Sequence, residues 1–195
     1  MFSMLSFVLF AIAVTVSPGP NNILLMHSGL HFGTKRTMPY FWGSFIGSLF
    51  IYSLISFGFS YIFLKYPHLK SLIKIFGSIY MLYLSLKIAQ MNETEIKNKS
   101  DRPFTMVQGV GLQLLNPKLW IVAITMNSMF RQSENVTLNS LYFIFVLCLI
   151  TFFRMYLWVV LGKVIRMVIK TPLHRSIFNL ALGLFLAVTV LFLWI

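Results

Sequence analysis

The sequence predicts an all-α integral membrane protein of six transmembrane helices, arranged as two inverted three-helix repeats, with helices one and four broken at prolines. Three observations carry this. Of the 195 residues, 58% are hydrophobic and only 10% are charged, whereas a soluble domain uses roughly 25% charged residues to face water. Six apolar runs each supply the roughly 20 helical residues that a bilayer crossing takes. Two of those runs are interrupted at Pro18 and Pro117, 99 positions apart and close to half the chain length.

The first run, Phe2 to Leu30, starts like a signal peptide because Met1 to Val16 is apolar. It lacks a basic start, and Ser17-Pro18-Gly19-Pro20 leads into more apolar sequence instead of a cleavage site. It therefore reads as a retained helix. Proline removes a helical hydrogen bond and clashes with the preceding turn, so Pro18 and Pro20, with Gly19 between them, open this helix. Asn21 and Asn22 then start a new half-helix. Its unpaired N–H groups and partial positive charge suit an anionic ligand such as a carboxylate. His27 is the one titratable side chain near the break, and a lone histidine is more often a satisfied polar residue than a working one.

The second run, Met38 to Leu64, carries Gly43 and Gly47, a small-xxx-small pair that lets backbones approach closely. Gly58, Gly77, Gly162 and Gly183 have the same potential. The third run is Leu69 to Gln90, where Tyr80 and Tyr83 read as packing residues before cavity-lining ones. Asn92 to Pro103 is the one clearly polar linker and holds three of the four acids. It divides a single domain (1–195) into a first repeat (1–90), a cytoplasmic linker (91–103) and a second repeat (104–195). Asn92-Glu93-Thr94 and Asn98-Lys99-Ser100 match glycosylation sequons, but on a cytoplasmic linker they are chance matches.

The fourth run, Phe104 to Phe130, repeats the break with Gln113-Leu114-Leu115-Asn116-Pro117-Lys118. Leu138 to Leu161 and Leu173 to Ile195 complete the set. The fifth holds the single cysteine, Cys148, which excludes an intrachain disulfide. It also holds Arg154, a costly charge amid apolar and aromatic neighbours. Three helices per half is an odd number, so the second half crosses in the opposite sense to the first. Matched interruptions in oppositely inserted halves point to a midplane binding site, although an isolated proline would more often be a plain kink.

The net charge of +12 would suggest nucleic acid in a soluble protein. Here the cations flank the apolar runs, which is positive-inside anchoring and excludes nucleic acid as a partner. Loops one, three and five hold ten cations against four in loops two and four, placing both termini outside the cytoplasm. Glu93, Glu95, Asp101 and Glu134 all fall in loops, so no proton relay through a buried carboxylate is expected. No HExxH, GxSxG or P-loop pattern occurs, which argues against a hydrolase or an ATP-driven machine. No enzyme, metal or cofactor is implied.

Ser17-Pro18-Gly19-Pro20-Asn21, then Gly33, Gly43 and Gly47, then Gly77 and Tyr80, then Asn116-Pro117-Lys118, resemble the LysE/RhtB family of amino-acid exporters from the first helix to the last. Within it, Pro-Gly-Pro-Asn-Asn and the helix-three pattern ending Lys87-Ile88 look closest to cysteine and O-acetylserine exporters. The resemblance implies export of small amino acids or derivatives (cysteine/O-acetylserine, homoserine/threonine or similar) across the bacterial inner membrane. The sequence departs from the family in having no acid within a span and in carrying Arg154.

Under this reading, Asn21, Asn22 and the N–H groups after Pro20 bind a substrate carboxylate, on a break shaped by Pro18, Gly19 and Pro20. Gln113, Asn116, Pro117 and Lys118 complete the site. Lys118 has an alternative role, snorkelling or pairing with carbonyls freed at the break. Arg154 either grips the substrate carboxylate as a second anion contact or caps such carbonyls. Partners are the amino acid and the lipid bilayer, with a homodimer left open. The competing functions are a cation exporter of related architecture, disfavoured by the lack of buried Asp, Glu and Cys ligands, and a non-transporting assembly subunit.

Overall fold

The computed structural model describes residues 4–91, 102–130, 136–169, 171–191 and 194. All four acids, both sequons and most of the polar linker lie outside the described residues. The described chain is helical, and four of its helices are long and apolar enough to cross a membrane.

The first predicted helix is two pieces, α1 (Met4–Val16) and the start of α2 (Pro20–Leu54). Ser17, Pro18 and Gly19 between them are non-helical. Pro20 occupies the first turn of α2, where its missing N–H costs nothing because that donor would have no partner anyway.

The nominal 35 residues of α2 are not one rod. Gly33 has φ 73° and ψ 174°, a conformation essentially restricted to glycine. A straight helix would hold positions 21 and 40 about 28 Å apart at 1.5 Å per residue. Instead the Tyr40 hydroxyl donates to Asn21 Oδ1 at 3.1 Å, and the Ser28 and Thr37 hydroxyls meet at 3.0 Å. Residues 20–32 and 34–54 therefore run back against each other as a hairpin. The expected loop between the first two spans is compressed to a single glycine. A Cβ at Gly33 would meet only Arg166 Nη1, at 3.8 Å, so Gly33→Ala tests backbone conformation and not space. It is expected to lower stability by about 1–3 kcal/mol, read by thermal unfolding in detergent.

The second predicted helix is also less regular than expected. A five-residue π-helical turn, Ile55–Phe59, follows α2 and contains Gly58 at φ 103°. A short α3 (Ser60–Lys65) ends it. A Cβ on Gly58 would meet nothing within 4 Å, so its role is conformational, in contrast to the close-packing role expected from sequence. Next come α4 (Pro67–Ala89) and α5 (Met106–Leu114). Thr105 and Gln108 form a capping box that fixes the start of α5, two residues later than expected. Leu115 and Asn116 break the helix before α6 (Pro117–Phe130). Then α7 (Val136–Val168) runs a full two turns past its expected end, carrying Lys163 and Arg166, and α8 (Pro172–Leu191) follows.

Two buried apolar clusters organise the bundle. One joins Ile23–Met26, Tyr40 and Phe41 of α2 with Leu112 of α5, Met155 and Val159 of α7, and residues of α4 and α8. The other joins Phe7 and Ala11 of α1, Ile51 and Tyr52 of α2, Leu119–Met126 of α6, and Phe143 and Leu147 of α7. Each broken helix thus gives one piece to each cluster, which leaves the breaks between the clusters. Outward, Leu5, Phe57, Tyr61, Ile79, Phe145 and Phe153 are exposed by more than half their surface, as a lipid-solvated bundle allows.

Candidate functional site

Between the clusters the two breaks meet. A small cavity of about 40 Å³ is lined by Gly19, Pro20, Asn21 and Asn22 from the first break and by Gln113, Asn116 and Lys118 from the second. Arg154 and Tyr52 close it. Eight of the ten residues singled out from sequence therefore share one cavity. Pro18 and Pro117 do not line it. Each faces a different crevice and acts on the site through the backbone it interrupts.

The breaks are tied together by Lys118. Its Nζ donates to Ser17 Oγ at 2.7 Å, to Pro18 O at 3.2 Å and to Ser17 O at 3.3 Å. The last two are backbone carbonyls that the first break deprives of helical donors. Of the two roles weighed for Lys118, the structure displays carbonyl capping, performed across to the other broken helix.

Asn22 and Arg154 form a second tie. Asn22 Nδ2 donates to Thr15 O at 3.2 Å and Ser17 O at 3.1 Å, so it caps the last turn of α1. Its Oδ1 accepts from Arg154 Nη1. Both ends of the Asn22 amide are thereby occupied within the protein. Among the described residues, Arg154 reaches the freed carbonyls through Asn22. No sequence signal identified Asn22 as this relay, because its partners sit on the far side of the break and 132 residues along the chain.

What remains unpartnered defines the chemistry. Asn21 Nδ2, Arg154 Nε and Asn116 Oδ1 are buried without a hydrogen-bond partner among the described residues. A buried polar atom left unpaired costs about 1–3 kcal/mol, and such atoms find their partners in ordered water or a ligand. The set comprises two donors, one of them on a guanidinium, and one acceptor. Asn21 and Asn22 also sit in the first turn of α2, where backbone N–H groups lack helical acceptors. Donors suit a carboxylate, and an acceptor oxygen suits an ammonium group. Neighbouring polar groups are already satisfied within the protein: Gln113 Nε2 donates to Ser48 Oγ at 2.9 Å, Asn116 Nδ2 donates to Gln113 Oε1 at 3.3 Å, and the Tyr52 hydroxyl meets Thr151 Oγ1 at 3.1 Å. Tyr52 and Ser48 were missed from sequence because nothing local marks them as facing the breaks.

His27 is fully buried one turn beyond the cavity, with its ring 4.4 Å from that of His31. His31 Nε2 meets Asn179 Oδ1 at 2.8 Å, and Asn179 Nδ2 donates to Met91 O at 3.0 Å. This chain joins α2, α8 and the end of α4, outside the cavity.

The LysE type translocator family profile matches residues 12–195. The chain is 29% identical over 133 residues to the cysteine/O-acetylserine efflux protein of Salmonella typhimurium, covering 67% of this chain and 66% of that protein, just under two thirds of its length. It is 25% identical over 174 residues to the leucine efflux protein of Klebsiella pneumoniae, covering 86% and 82%. No solved structure matches the chain.

Proposed function

The chain belongs to the LysE type translocator family, and from that premise we propose that it exports small amino acids or close derivatives by alternating access around the cavity between the two breaks. The observation that carries the reading is the cavity's unpaired set of Asn21 Nδ2, Arg154 Nε and Asn116 Oδ1. Carboxylate donors and an ammonium acceptor in one buried space match the two charges common to all amino acids. Efflux relatives named for cysteine/O-acetylserine and for leucine agree with a site that recognises these shared groups more than the side chain.

At about 40 Å³ the cavity has room for about three waters at 10–15 Å³ each, and not for an amino acid. The substrate is admitted when the two halves part. Alternating access of this kind rests on two inverted repeats of three helices, 1–90 and 104–195, joined by a linker and hinged near the site. Support comes from contacts between residues about half a chain apart. A two-fold axis relating the halves brings equivalent positions together wherever they lie near it. Tyr52 meets Thr151 at a separation of 99, Ser85 meets Gly183 at 98, and Lys118 meets Pro18 and Ser17 at 100 and 101. The orientation proposed with this has both termini outside the cytoplasm, on the balance of cations among the loops.

The test is counterflow in liposomes. Purified protein loaded with one unlabelled amino acid is expected to accumulate the labelled form, with cysteine, O-acetylserine, homoserine, threonine and leucine tried in turn. The carboxyl-amidated form of any transported amino acid is expected to fail. Absence of flux for every amino acid, with the protein folded, overturns the reading.

A further inference from the structure

A second site lies away from the helix breaks, at the tip of the α2 hairpin. Gly33 there lines an open cavity of about 530 Å³ together with Lys35, Lys163, Met167, Arg166 and Arg175. The four cations come from three stretches distant in sequence: the hairpin tip, the last turns of α7, and the start of α8. Lys35, Lys163 and Arg166 are exposed. Among the described residues there is no acidic side chain at all, so none of these three is neutralised by a carboxylate within them. Gathering like charges around one hollow raises their mutual repulsion, and an anion in the hollow relieves it.

Met167 lines the cavity, and exposed apolar side chains flank its cations along the sequence of both helices. Val164, Met167 and Val168 on α7 and Leu173 and Ile177 on α8 are 48–76% exposed. A cationic hollow on helices that also expose apolar side chains has the polarity profile of one ligand type: an anionic head with hydrocarbon chains attached. Inorganic phosphate would use the cations and leave the apolar faces unmatched.

We infer that this cavity binds the phosphate-bearing head group of an anionic phospholipid, with the acyl chains lying along the outer faces of α7 and α8. Such a lipid bridges the hairpin tip, α7 and α8 at the point where their like charges converge. Arg166 contributes to the hollow while its Nη1 lies 3.5 Å from His31 O, so head-group binding bears on the end of the α2 first arm. The inference stands apart from the proposed export activity and is read by binding alone.

The test uses the purified full chain in detergent, with retained lipid counted by native mass spectrometry after titration with phosphatidylglycerol or phosphatidylcholine. Phosphatidylglycerol is expected to be retained as a discrete adduct and phosphatidylcholine not. Lys163→Gln with Arg166→Gln is expected to weaken that retention about 30-fold, since each juxtamembrane cation contributes roughly fivefold. Lys35→Gln alone is expected to weaken it about fivefold and provides the reading if the double variant fails to fold. Lys65→Gln with Lys70→Gln removes the same charge elsewhere and is expected to change nothing. Equal weakening by this control would reduce the site to diffuse attraction and overturn the inference. So would equal retention of the two lipids, or displacement of phosphatidylglycerol by millimolar inorganic phosphate.

Discussion

Asn21→Leu is expected to lower export by between about 10- and 150-fold, with the protein still inserted and folded. The magnitude follows from removing one hydrogen bond to a charged group, about 1.5–3 kcal/mol, from the substrate complex. Asn21 is the residue to change because its amide is divided in use. Oδ1 accepts from the Tyr40 hydroxyl at 3.1 Å, while Nδ2 is buried and unpaired. Leucine removes both, so the structural part must be separated from the functional one. Tyr40→Phe deletes the same internal hydrogen bond and leaves Nδ2 in place. It is expected to retain nearly normal transport with a small loss of stability. If Asn21→Leu and Tyr40→Phe impair counterflow equally, the effect belongs to the hairpin and the site assignment is wrong.

Asn22, its neighbour, presents the contrasting case. Its Nδ2 and Oδ1 are both spent within the protein. Two adjacent asparagines of identical chemistry thus divide into one that builds the break and one whose Nδ2 is left without a partner among the described residues. Nothing in Pro20-Asn21-Asn22-Ile23 distinguishes them. The break itself was legible because proline acts on its own chain: the missing N–H and the clash with the preceding turn operate within four residues. That a second break lies about half a chain from the first was also legible, since their spacing is a property of the sequence. Which amide keeps an unpaired donor depends on Thr15, Tyr40 and Arg154, and a position 132 residues away leaves no local trace.

The same division explains the misjudged lengths. Hydropathy alone ended the fifth helix at Leu161, because Lys163 and Arg166 are polar, yet α7 continues to Val168. Charged side chains are compatible with helix at a bundle's end, where they reach out of the apolar layer. In the same way, the stretch around Gly33 looked like a loop because Thr34, Lys35 and Arg36 are polar. They are helical, and a single residue of positive φ makes the turn. Composition reports where the apolar layer ends, whereas helix ends are set by caps and by residues such as Gly33.

Glycine contacts provide the largest expected stability effects. At Gly162 a Cβ would lie 2.0 Å from Met26 O and 2.8 Å from Leu30 N, and at Gly43 it would lie 2.0 Å from Met106 O. Both obstacles are backbone, which cannot rotate aside as a side chain would, so the helices must separate. Gly162 and Gly29 seat α7 against the first arm of α2, with a Cβ on Gly29 falling 2.3 Å from Val159 O. Gly43 and Gly109 do the same for the second arm and α5. In a bilayer this close packing replaces the hydrophobic drive that lipid cannot supply between helices. Gly162→Ala and Gly43→Ala are each expected to cost about 3 kcal/mol or more, at the upper end for overpacking, and to remove most folded protein from the membrane fraction. Gly111 is the internal control, lying in α5 beside Gly109 with nothing within 4 Å of where its Cβ would sit. Gly111→Ala is expected to be neutral or to stabilise by up to about 1 kcal/mol through its helix propensity. The measurement is the folded yield and thermal midpoint of all three variants in one detergent. A Gly111→Ala loss as large as that of Gly162→Ala would mean that these glycines serve backbone freedom and not the contact between helices.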